Sequence, residues 1–295
     1  MRYRLEYAAF SAVRLLIKVL PRKTSLQVGA LIGQIFYYLH TPRRKLAGSN
    51  LKAAFPAYTK IECDRVLRST FEHLGCQLVE LLNFDRMSKE EMLDLLDVTG
   101  KEHVEQALAK GKAIMFYSGH IGYWELFSIG HGLLFKPTTI VARTLDNPFL
   151  ENVVAQIRTR VGTQVLPRQG AIRSLLKALL KKETVAMMID QHMHDRSAVT
   201  VNFFNRPAST TSALAALALR TGAVVIPVFT LPLSGGRYRL IYEKPVKCPA
   251  DDDPDPVRTY TQSCTDVLEM YVRQYPNLWL WMHRRWRMQQ VEHSG

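Results

Sequence analysis

The sequence predicts an α/β protein whose central sheet, mainly parallel or mixed, is flanked by helices. Two observations support this fold class. From Lys101 onward, short apolar runs typical of buried strands alternate with longer runs of helical period. The chain before Lys101 has helical period, and 47% of the 295 residues are apolar, which is enough to form a large core.

The first 45 residues are basic and amphipathic. They contain nine Lys and Arg residues against one acidic residue, Glu6. In the first helical segment, Arg14 and Lys18 share one face and apolar side chains occupy the other, a pattern typical of a helix lying among lipid headgroups. We therefore predict that residues 1–45 are membrane-anchoring helices.

Two other interpretations of this segment remain open. The uncharged run Thr24–Leu39 would extend about 24 Å as a helix, whereas a bilayer core is about 30 Å thick. It would have to tilt or pair in order to span the membrane, or it could be a helix of the globular core. Because Arg14 interrupts the apolar region and no small-residue cleavage site follows, we expect no cleaved signal peptide and a cytoplasmic location for the bulk of the chain.

Residues 46–295 are predicted to form the main domain, with a helical lead-in (46–100) and an α/β part (101–290). The predicted strands lie near Ile114–Tyr117, Thr139–Ala142, Val185–Ile189, Val224–Phe229 and Tyr238–Tyr242. The predicted helices lie around Trp124–Leu134, Phe149–Val161, Ala171–Lys181, Thr211–Thr221 and Tyr260–Gln274. No internal repeat and no second α/β domain are predicted.

A histidine and a glutamate follow the first predicted strand, in the stretch Ser118–Glu125. Within one helix, His120 and Glu125 would lie about 140° apart, so their spacing favours a turn. With His120 in the turn and Glu125 in the first helical turn, the carboxylate could reach back and orient the imidazole as a general base. The alternative is a helix cap beside an unrelated polar residue.

The stretch Ser118–Glu125 resembles the His-x4-Asp/Glu motif of the lysophospholipid acyltransferase superfamily, and more specifically that of the lipid A late acyltransferases of the lauroyl and myristoyl type. Further blocks in the order of that family extend the resemblance from about Arg14 to Trp286. These blocks are Arg143–Pro148, Ile172–Leu179 leading through Glu183 to Met188–Gln191, Val201–Phe204, Ala223–Pro227 and His283–Trp286. Gly119, where enterobacterial members carry Asn, and Asn205, where Gly is common, depart from the pattern; Asn tolerates the left-handed conformation.

The resemblance implies a lysophospholipid-acyltransferase-like fold and acyl transfer from acyl-acyl carrier protein, or acyl-CoA, to a hydroxyl of a lipid A precursor. It implies catalysis by His120 with Glu125, without a covalent enzyme intermediate, at the cytoplasmic face of the inner membrane. The chain contains no G-x-S-x-G elbow and no cysteine near the motif, which agrees with direct attack by the substrate hydroxyl. An acidic carrier protein also suits the net charge of +13.

Other polar residues are candidates for binding substrate phosphates, stabilising the oxyanion or supporting the site. Arg143 follows the second predicted strand, and Asp190 and Gln191 end the third. A second basic set, part of which is expected to be solvated, lies on and between two helices. The predicted binding or supporting residues are Arg143, Asn147, Arg158, Arg160, Arg173, Asp190, Gln191, His283 and Arg285.

Neither a metal nor a cofactor is predicted. The segment His192–Asp195 lacks the one-face spacing of a helical zinc site and has no further ligand motif. Cysteine usage predicts neither disulfides nor structural zinc, since the four residues show no CxxC spacing. The cysteines, expected to be free thiols, are Cys63, Cys76, Cys248 and Cys264.

Two alternative functions remain. One is acylation of another membrane acceptor, namely a lysophospholipid, a phosphatidylinositol mannoside or an aminolipid, with the same catalytic pair. The other is a non-catalytic basic protein that binds membrane or nucleic acid, for which the interleaved Trp and Arg residues of Trp279–Arg287 could form a stacking surface.

Overall fold

The computed structural model describes residues 1–194 and 197–286. Its eleven α-helices in these residues are Arg2–Val19 (α1), Arg22–Leu39 (α2), Thr41–Ala54 (α3), Lys60–Phe84 (α4), Lys89–Asp94 (α5), Lys101–Ala109 (α6), Trp124–Leu134 (α7), Pro148–Thr159 (α8), Ala171–Leu180 (α9), Ala213–Thr221 (α10) and Pro256–Gln274 (α11). Its strands there are Leu96–Thr99 (β1), Ile114–Ser118 (β2), Thr139–Ala142 (β3), Gln164–Pro167 (β4), Thr184–Met188 (β5), Ala198–Phe203 (β6), Arg206–Thr211 (β7), Val224–Pro232 (β8) and Tyr238–Tyr242 (β9).

Seven strands form the main sheet in the order β1-β9-β8-β2-β5-β3-β4. The five strands from β8 to β4 are parallel, whereas β9 runs antiparallel to β8 and β1 runs parallel to β9. All five residues of β2 are buried, as expected for a central strand covered on both faces. The predicted fold class, an α/β protein with a mainly parallel sheet flanked by helices, is confirmed.

The five predicted strands and the five predicted helices of the α/β part are present, with ends shifted by a few residues. The sequence did not predict β1, β4 or the hairpin of β6 and β7. β1 and β4 are edge strands of only four residues, too short to show a clear alternation. The hairpin turns at Phe204 and Asn205, both with φ near +55°, and Asn205 therefore adopts the expected left-handed conformation. A bulky aromatic residue at the first position is not a turn signal.

Helix α2 packs closely against α4. Gly29 and Gly33 face Gly75, and the backbones approach so closely that a methyl group on any of the three would meet the opposing main chain. Arg22 at the start of α2 forms a buried ion pair with Glu80 of α4. No helix within the described ranges is both long and apolar enough to cross a membrane.

Helix α1 buries Ile17 and holds most of its other apolar side chains outward. Arg14, predicted to face lipid headgroups, instead turns inward and pairs with Asp85 at 2.5 Å, which corrects that expectation. The exposed face of α1 is apolar along its length. It consists of Leu5, Ala8, Ala9, Ala12, Leu15, Leu16 and Val19.

Candidate active site

The loop that carries His120 joins the end of β2 to the start of α7, as the spacing predicted. Backbone hydrogen bonds fix it on two sides. Leu280 N–H donates to the His120 carbonyl (2.9 Å), Gly122 N–H donates to Leu278 (3.0 Å), and Tyr123 N–H donates to the Thr230 carbonyl at the end of β8 (2.8 Å). The histidine therefore lies in a rigid turn at the carboxyl edge of the parallel strands, where open α/β sheets place their sites.

Gly122 allows this turn to form. Its φ is +61°, and a Cβ there would lie 2.1 Å from the Thr230 carbonyl oxygen. The Gly122 carbonyl lies 3.0 Å from Nε2 of His73, a half-buried residue of α4. Burial lowers the pKa of His73 to about 4, so its neutral ring donates this hydrogen bond at physiological pH. His73 is a part of the site that the sequence did not predict.

His120 is oriented by Asp190, which follows the neighbouring strand β5. The His120 Nδ1 lies 2.8 Å from Oδ1 of Asp190, and the His120 backbone N–H donates to Oδ2 at 2.7 Å. Trp279 Nε1 also donates to Oδ2 (2.9 Å). The carboxylate is completely buried and accepts three hydrogen bonds, an arrangement that fixes both the ring and its tautomer.

Gly119 leaves room for that carboxylate. A Cβ at this position would lie 3.1 Å from Cγ and Oδ2 of Asp190 and 2.8 Å from a methyl group of Leu268. A larger residue would require the Asp190 carboxylate and the Leu268 methyl group to shift by a few tenths of an ångström. The glycine that departs from the family pattern is therefore matched to the close approach of Asp190.

The pair is electrostatically coupled. Burial disfavours the charged ring, but the negative charge and hydrogen bond of Asp190 outweigh it and raise the pKa of His120 above its usual value. Burial alone would raise the pKa of Asp190, but His120 and its hydrogen bonds hold that pKa far below the usual value. The His120 side chain is 20% exposed, and no hydrogen bond within the described ranges engages its Nε2. This nitrogen is available to a substrate.

Glu125 does not make the predicted contact with His120. It forms a bidentate ion pair with Arg158 of α8, with nitrogen–oxygen distances of 2.5 and 2.9 Å. Its charge still contributes to the raised pKa of His120. The expectation that Glu125 orients the imidazole directly is therefore corrected, since Asp190 occupies that position, and a catalytic role for Glu125 stays a prediction.

Three predicted binding residues are engaged within the fold. Arg158 is paired with Glu125, and Arg160 donates to the carbonyl oxygens of Phe84 (2.5 Å) and Met87 (2.6 Å), beyond the last turns of α4. Asn147 caps α8 through Phe149 N–H and also donates to α1. Arg158, Arg160 and Asn147 therefore stabilise local structure.

Three other predicted binding residues are exposed. Arg143 follows β3 and pairs with Asp146 across a solvent-exposed turn (2.9 Å). Gln191 follows Asp190, and Arg173 lies on α9. The structure brings none of these side chains into contact with His120 in the parts that it describes. Their substrate contacts stay predictions.

His283 and Arg285 lie in the core near Asp190. Arg285 is 1% exposed and donates to Ser209 O (2.8 Å) and Thr210 Oγ1 (2.6 Å), so it fastens β7. Burial lowers the pKa of Arg285 to about 10, and it lowers that of His283 to about 4. A guanidinium so enclosed is not open to a lipid phosphate, which corrects the binding role predicted for Arg285.

The C-terminal tryptophans are structural. Trp279 and Trp281 are fully buried, and Trp279 is a hydrogen-bond donor to the site. They form no exposed stacking surface, which argues against the nucleic-acid alternative.

Two residues of the segments singled out in the sequence lie outside the described residues: Arg287 of the aromatic segment and Asp195 of the histidine-rich segment. Among the described residues no three His, Cys, Asp or Glu side chains are placed to hold a metal ion.

Comparison with known proteins decides the family. Residues 2–288 match the family described as bacterial lipid A biosynthesis acyltransferase. The chain belongs to this family. It is accordingly an acyltransferase, and the resemblance found in the sequence is confirmed.

The relatives include two kinds of lipid enzyme. The lipid A biosynthesis lauroyltransferase of Escherichia coli K12 is 26% identical over 288 residues, which are 97% of this chain and 92% of that protein. The lipid A biosynthesis palmitoleoyltransferase of the same organism is 24% identical and covers 100% of this chain and 94% of its own length. The phosphatidylinositol mannoside acyltransferase of Mycolicibacterium smegmatis is 26% identical over 76% of this chain and 73% of its own.

Proposed function

We propose that this acyltransferase moves a fatty acyl group from acyl-acyl carrier protein, or acyl-CoA, to a hydroxyl of a lipid A precursor at the cytoplasmic surface of the inner membrane. The observation that carries the proposal is the His120–Asp190 pair at the carboxyl edge of the sheet, with Nε2 of His120 open. This geometry is that of a general base prepared to activate a hydroxyl. Family membership supplies the class of reaction.

In the proposed reaction, the acceptor hydroxyl attacks the carbonyl carbon of the donor thioester. Nε2 of His120 takes the hydroxyl proton as the new C–O bond forms, and Asp190 stabilises the resulting imidazolium. Collapse of the tetrahedral intermediate breaks the C–S bond. The imidazolium returns its proton to the leaving thiolate, so the products are an ester and a free thiol.

A covalent acyl-enzyme is not part of the proposal. Of the described side chains, no serine, threonine or cysteine forms a hydrogen bond with His120. Buried Cys264 is a poor nucleophile because burial raises the pKa of its thiol to about 12. The substrate hydroxyl is therefore the nucleophile in this mechanism.

The remaining predicted residues have roles around this centre. Glu125 and its partner Arg158 supply charge beside the imidazole and fix the start of α7 against α8. Exposed Arg143, at the carboxyl edge of β3, is suited to hold a phosphate of the acceptor. The proposal needs no metal and no cofactor.

The outward apolar face of α1 supports a peripheral mode of membrane binding. Leu15 and Val19 are among the exposed large apolar residues of this helix, and Arg4 and Lys18 lie exposed beside them. Such a helix buries its apolar face at the boundary of headgroups and acyl chains, and its basic flanks attract anionic lipids. We infer that residues 1–45 hold the protein on the bilayer while α2 stays packed on α4.

The similarity to phosphatidylinositol mannoside acyltransferases supports a second candidate, acylation of another glycolipid. The catalytic pair would be the same for both acceptors. Purified protein should therefore be assayed with lauroyl-acyl carrier protein and lauroyl-CoA against a lipid A precursor and a phosphatidylinositol mannoside. Acylation of the mannoside alone would reject the lipid A acceptor.

The matched control for the mechanism compares two histidines. His120→Ala is expected to lower the transfer rate by about 10²–10⁴. His103→Ala, on α6, is expected to leave the rate unchanged because His103 makes no contact with the site. A folded His120→Ala protein that transfers acyl groups at the parental rate would refute the mechanism.

A further inference from the structure

Helix α9 carries two parallel rows of side chains on its outer surface, one basic and one apolar. Arg173, Lys177 and the C-cap Lys181 follow one another at four-residue spacing and form what we call the basic ridge. Beside it, one position back along the helix, lies an apolar row that we call the apolar ridge. It consists of Ile172, Leu176 and Leu180, of which Ile172 is 49% and Leu180 68% exposed.

The basic ridge is not neutralised within the chain. Helix α9 contains no acidic residue. None of Arg173, Lys177 and Lys181 forms an ion pair anywhere in residues 1–194 and 197–286. Like charges four residues apart on a helix repel and destabilise it. A partner outside this chain would convert that repulsion into attraction.

The ridge begins at the same edge of the sheet as the catalytic loop, on the side of the edge strand β4. Helix α9 starts at the carboxyl edge of the sheet, just after β4, and leads to β5, the strand that precedes Asp190. Arg168, immediately before α9, contacts the sulfur of Met193 (2.8 Å), three residues after Asp190. From Arg173 to Lys181 the ridge extends about 12 Å away from that edge. A partner docked along it would have one end near the site.

The ridge faces away from the inferred membrane surface. The connections β2-α7-β3 and β3-α8-β4 run along the sheet toward β4, whereas the connection β4-α9-β5 runs back toward β2. Because such connections are right-handed, α9 lies on the face of the sheet opposite to α7 and α8. Core contacts agree, because Ile17 of α1 packs in one cluster with Leu126 and Val153, whereas Leu175 and Leu179 of α9 belong to another. The partner on α9 is therefore a soluble molecule and not the bilayer that α1 contacts.

We propose that the basic and apolar ridges of α9 form the docking surface for an acidic helix of the acyl carrier protein. This inference rests on the proposed function and specifies how the donor binds. Carboxylates spaced by one helical turn on the carrier would pair with the basic ridge, while apolar side chains of the same helix cover Ile172 and Leu180. The acyl thioester would then be delivered at the carboxyl edge, where His120 lies.

The test is charge reversal on the basic ridge. Lys177→Glu combined with Lys181→Glu is expected to raise KM for lauroyl-acyl carrier protein at least about tenfold, with kcat unchanged, since reversed charges mainly slow association. Kinetics with lauroyl-CoA should stay within about twofold, and Lys177→Arg with Lys181→Arg should keep the parental KM. The matched control is Lys244→Glu with Lys247→Glu, two exposed lysines beyond β9 that should leave both donors unaffected.

A second measurement separates this inference from the proposed function. Binding of acyl carrier protein to the His120→Ala enzyme is followed by fluorescence anisotropy with and without the ridge reversal, so it needs no turnover. Equal binding by both proteins, or an equal loss with the lysine control, would overturn the docking surface while leaving the acyltransferase mechanism intact. Loss of binding to phosphatidylglycerol vesicles on ridge reversal, with carrier binding unchanged, would assign α9 to the membrane and overturn the proposal.

Discussion

The most informative single change is Asp190→Asn. The carboxylate accepts from three donors, two of them through Oδ2, namely His120 N–H and Trp279 Nε1–H, and one through Oδ1, which faces His120 Nδ1. An asparagine that keeps its oxygen at the Oδ2 position satisfies two donors. Its NH₂ group then faces Nδ1 and forces that nitrogen to accept, so the ring proton moves to Nε2. The nitrogen that should remove the substrate proton would already carry one.

The expected magnitude follows from this geometry. Because the general base is held in the wrong tautomer, kcat should fall by about 10²–10⁴. The three hydrogen bonds persist, one with reversed direction, but they lose their charged acceptor, so the free energy of unfolding should fall by no more than about 3 kcal/mol. A large loss of activity in a folded protein is therefore expected.

The pH profile provides an independent measure. A neutral His120 is required, so the rate should rise with pH through an apparent pKa above the usual value for histidine, because Asp190 stabilises the protonated ring. Removing the charge of Asp190 lowers the pKa of His120 and moves this limb to lower pH. Steady-state acyl transfer across the pH range, with thermal unfolding of each variant, measures both effects.

The control is Asp97→Asn, which alters an exposed carboxylate paired with Arg239 and should change neither rate nor profile. The reasoning would be refuted by an Asp190→Asn protein that keeps more than half of the parental kcat with the same pH limb. If Glu125→Gln instead lost kcat and shifted the pH limb while Asp190→Asn kept both, Glu125 would be the residue that orients the imidazole.

Three further outcomes are expected. Glu125→Gln leaves the partly buried charge of Arg158 without its partner and should destabilise the fold by about 3–5 kcal/mol, whereas adding Arg158→Met should recover most of the loss in thermal unfolding. A double variant as unstable as the single one would contradict this. Gly122→Ala places a methyl group against the Thr230 carbonyl and should cost about 1–3 kcal/mol and most of the activity, so a fully active Gly122→Ala enzyme would show that the turn is not tight. Leu15→Glu should weaken co-sedimentation with phosphatidylglycerol vesicles, and the equally exposed Ile61→Glu on α4 should not; equal effects of both would exclude α1 as the membrane face.

The N-terminal helices illustrate a limit of sequence patterns. The helices themselves were predicted from their period, and they are present. The predicted orientation of Arg14 was wrong, because a helical wheel does not specify which side of a helix meets the protein. Arg14 turned inward because Asp85 of the α4–α5 connection lies beside it, and the glycines of α2 packed against α4 because that surface was available.

Two of the arginines predicted to bind substrate instead contact other parts of the protein. A basic side chain can hold a phosphate only when it stays accessible and is not enclosed by partners within the protein. Arg158 found Glu125, and Arg285 found the β7 backbone and a buried position, whereas Arg143 and Arg173 stayed exposed. No local pattern separates Arg158 and Arg285 from the exposed arginines, because the partners of these two come from distant parts of the chain.

The sequence by itself determined the α/β class, the strand before Ser118, the turn at His120 and the family of the protein, because these depend on local period and on short motifs. The tertiary structure alone decided the partner of the histidine. Glu125 is near in sequence but is held by Arg158, while Asp190, 70 residues away from His120, is brought to hydrogen-bonding distance by the parallel pairing of β2 with β5. Adjacent parallel strands end at the same edge of a sheet, so the pairing of strands determines which carboxylate the imidazole meets.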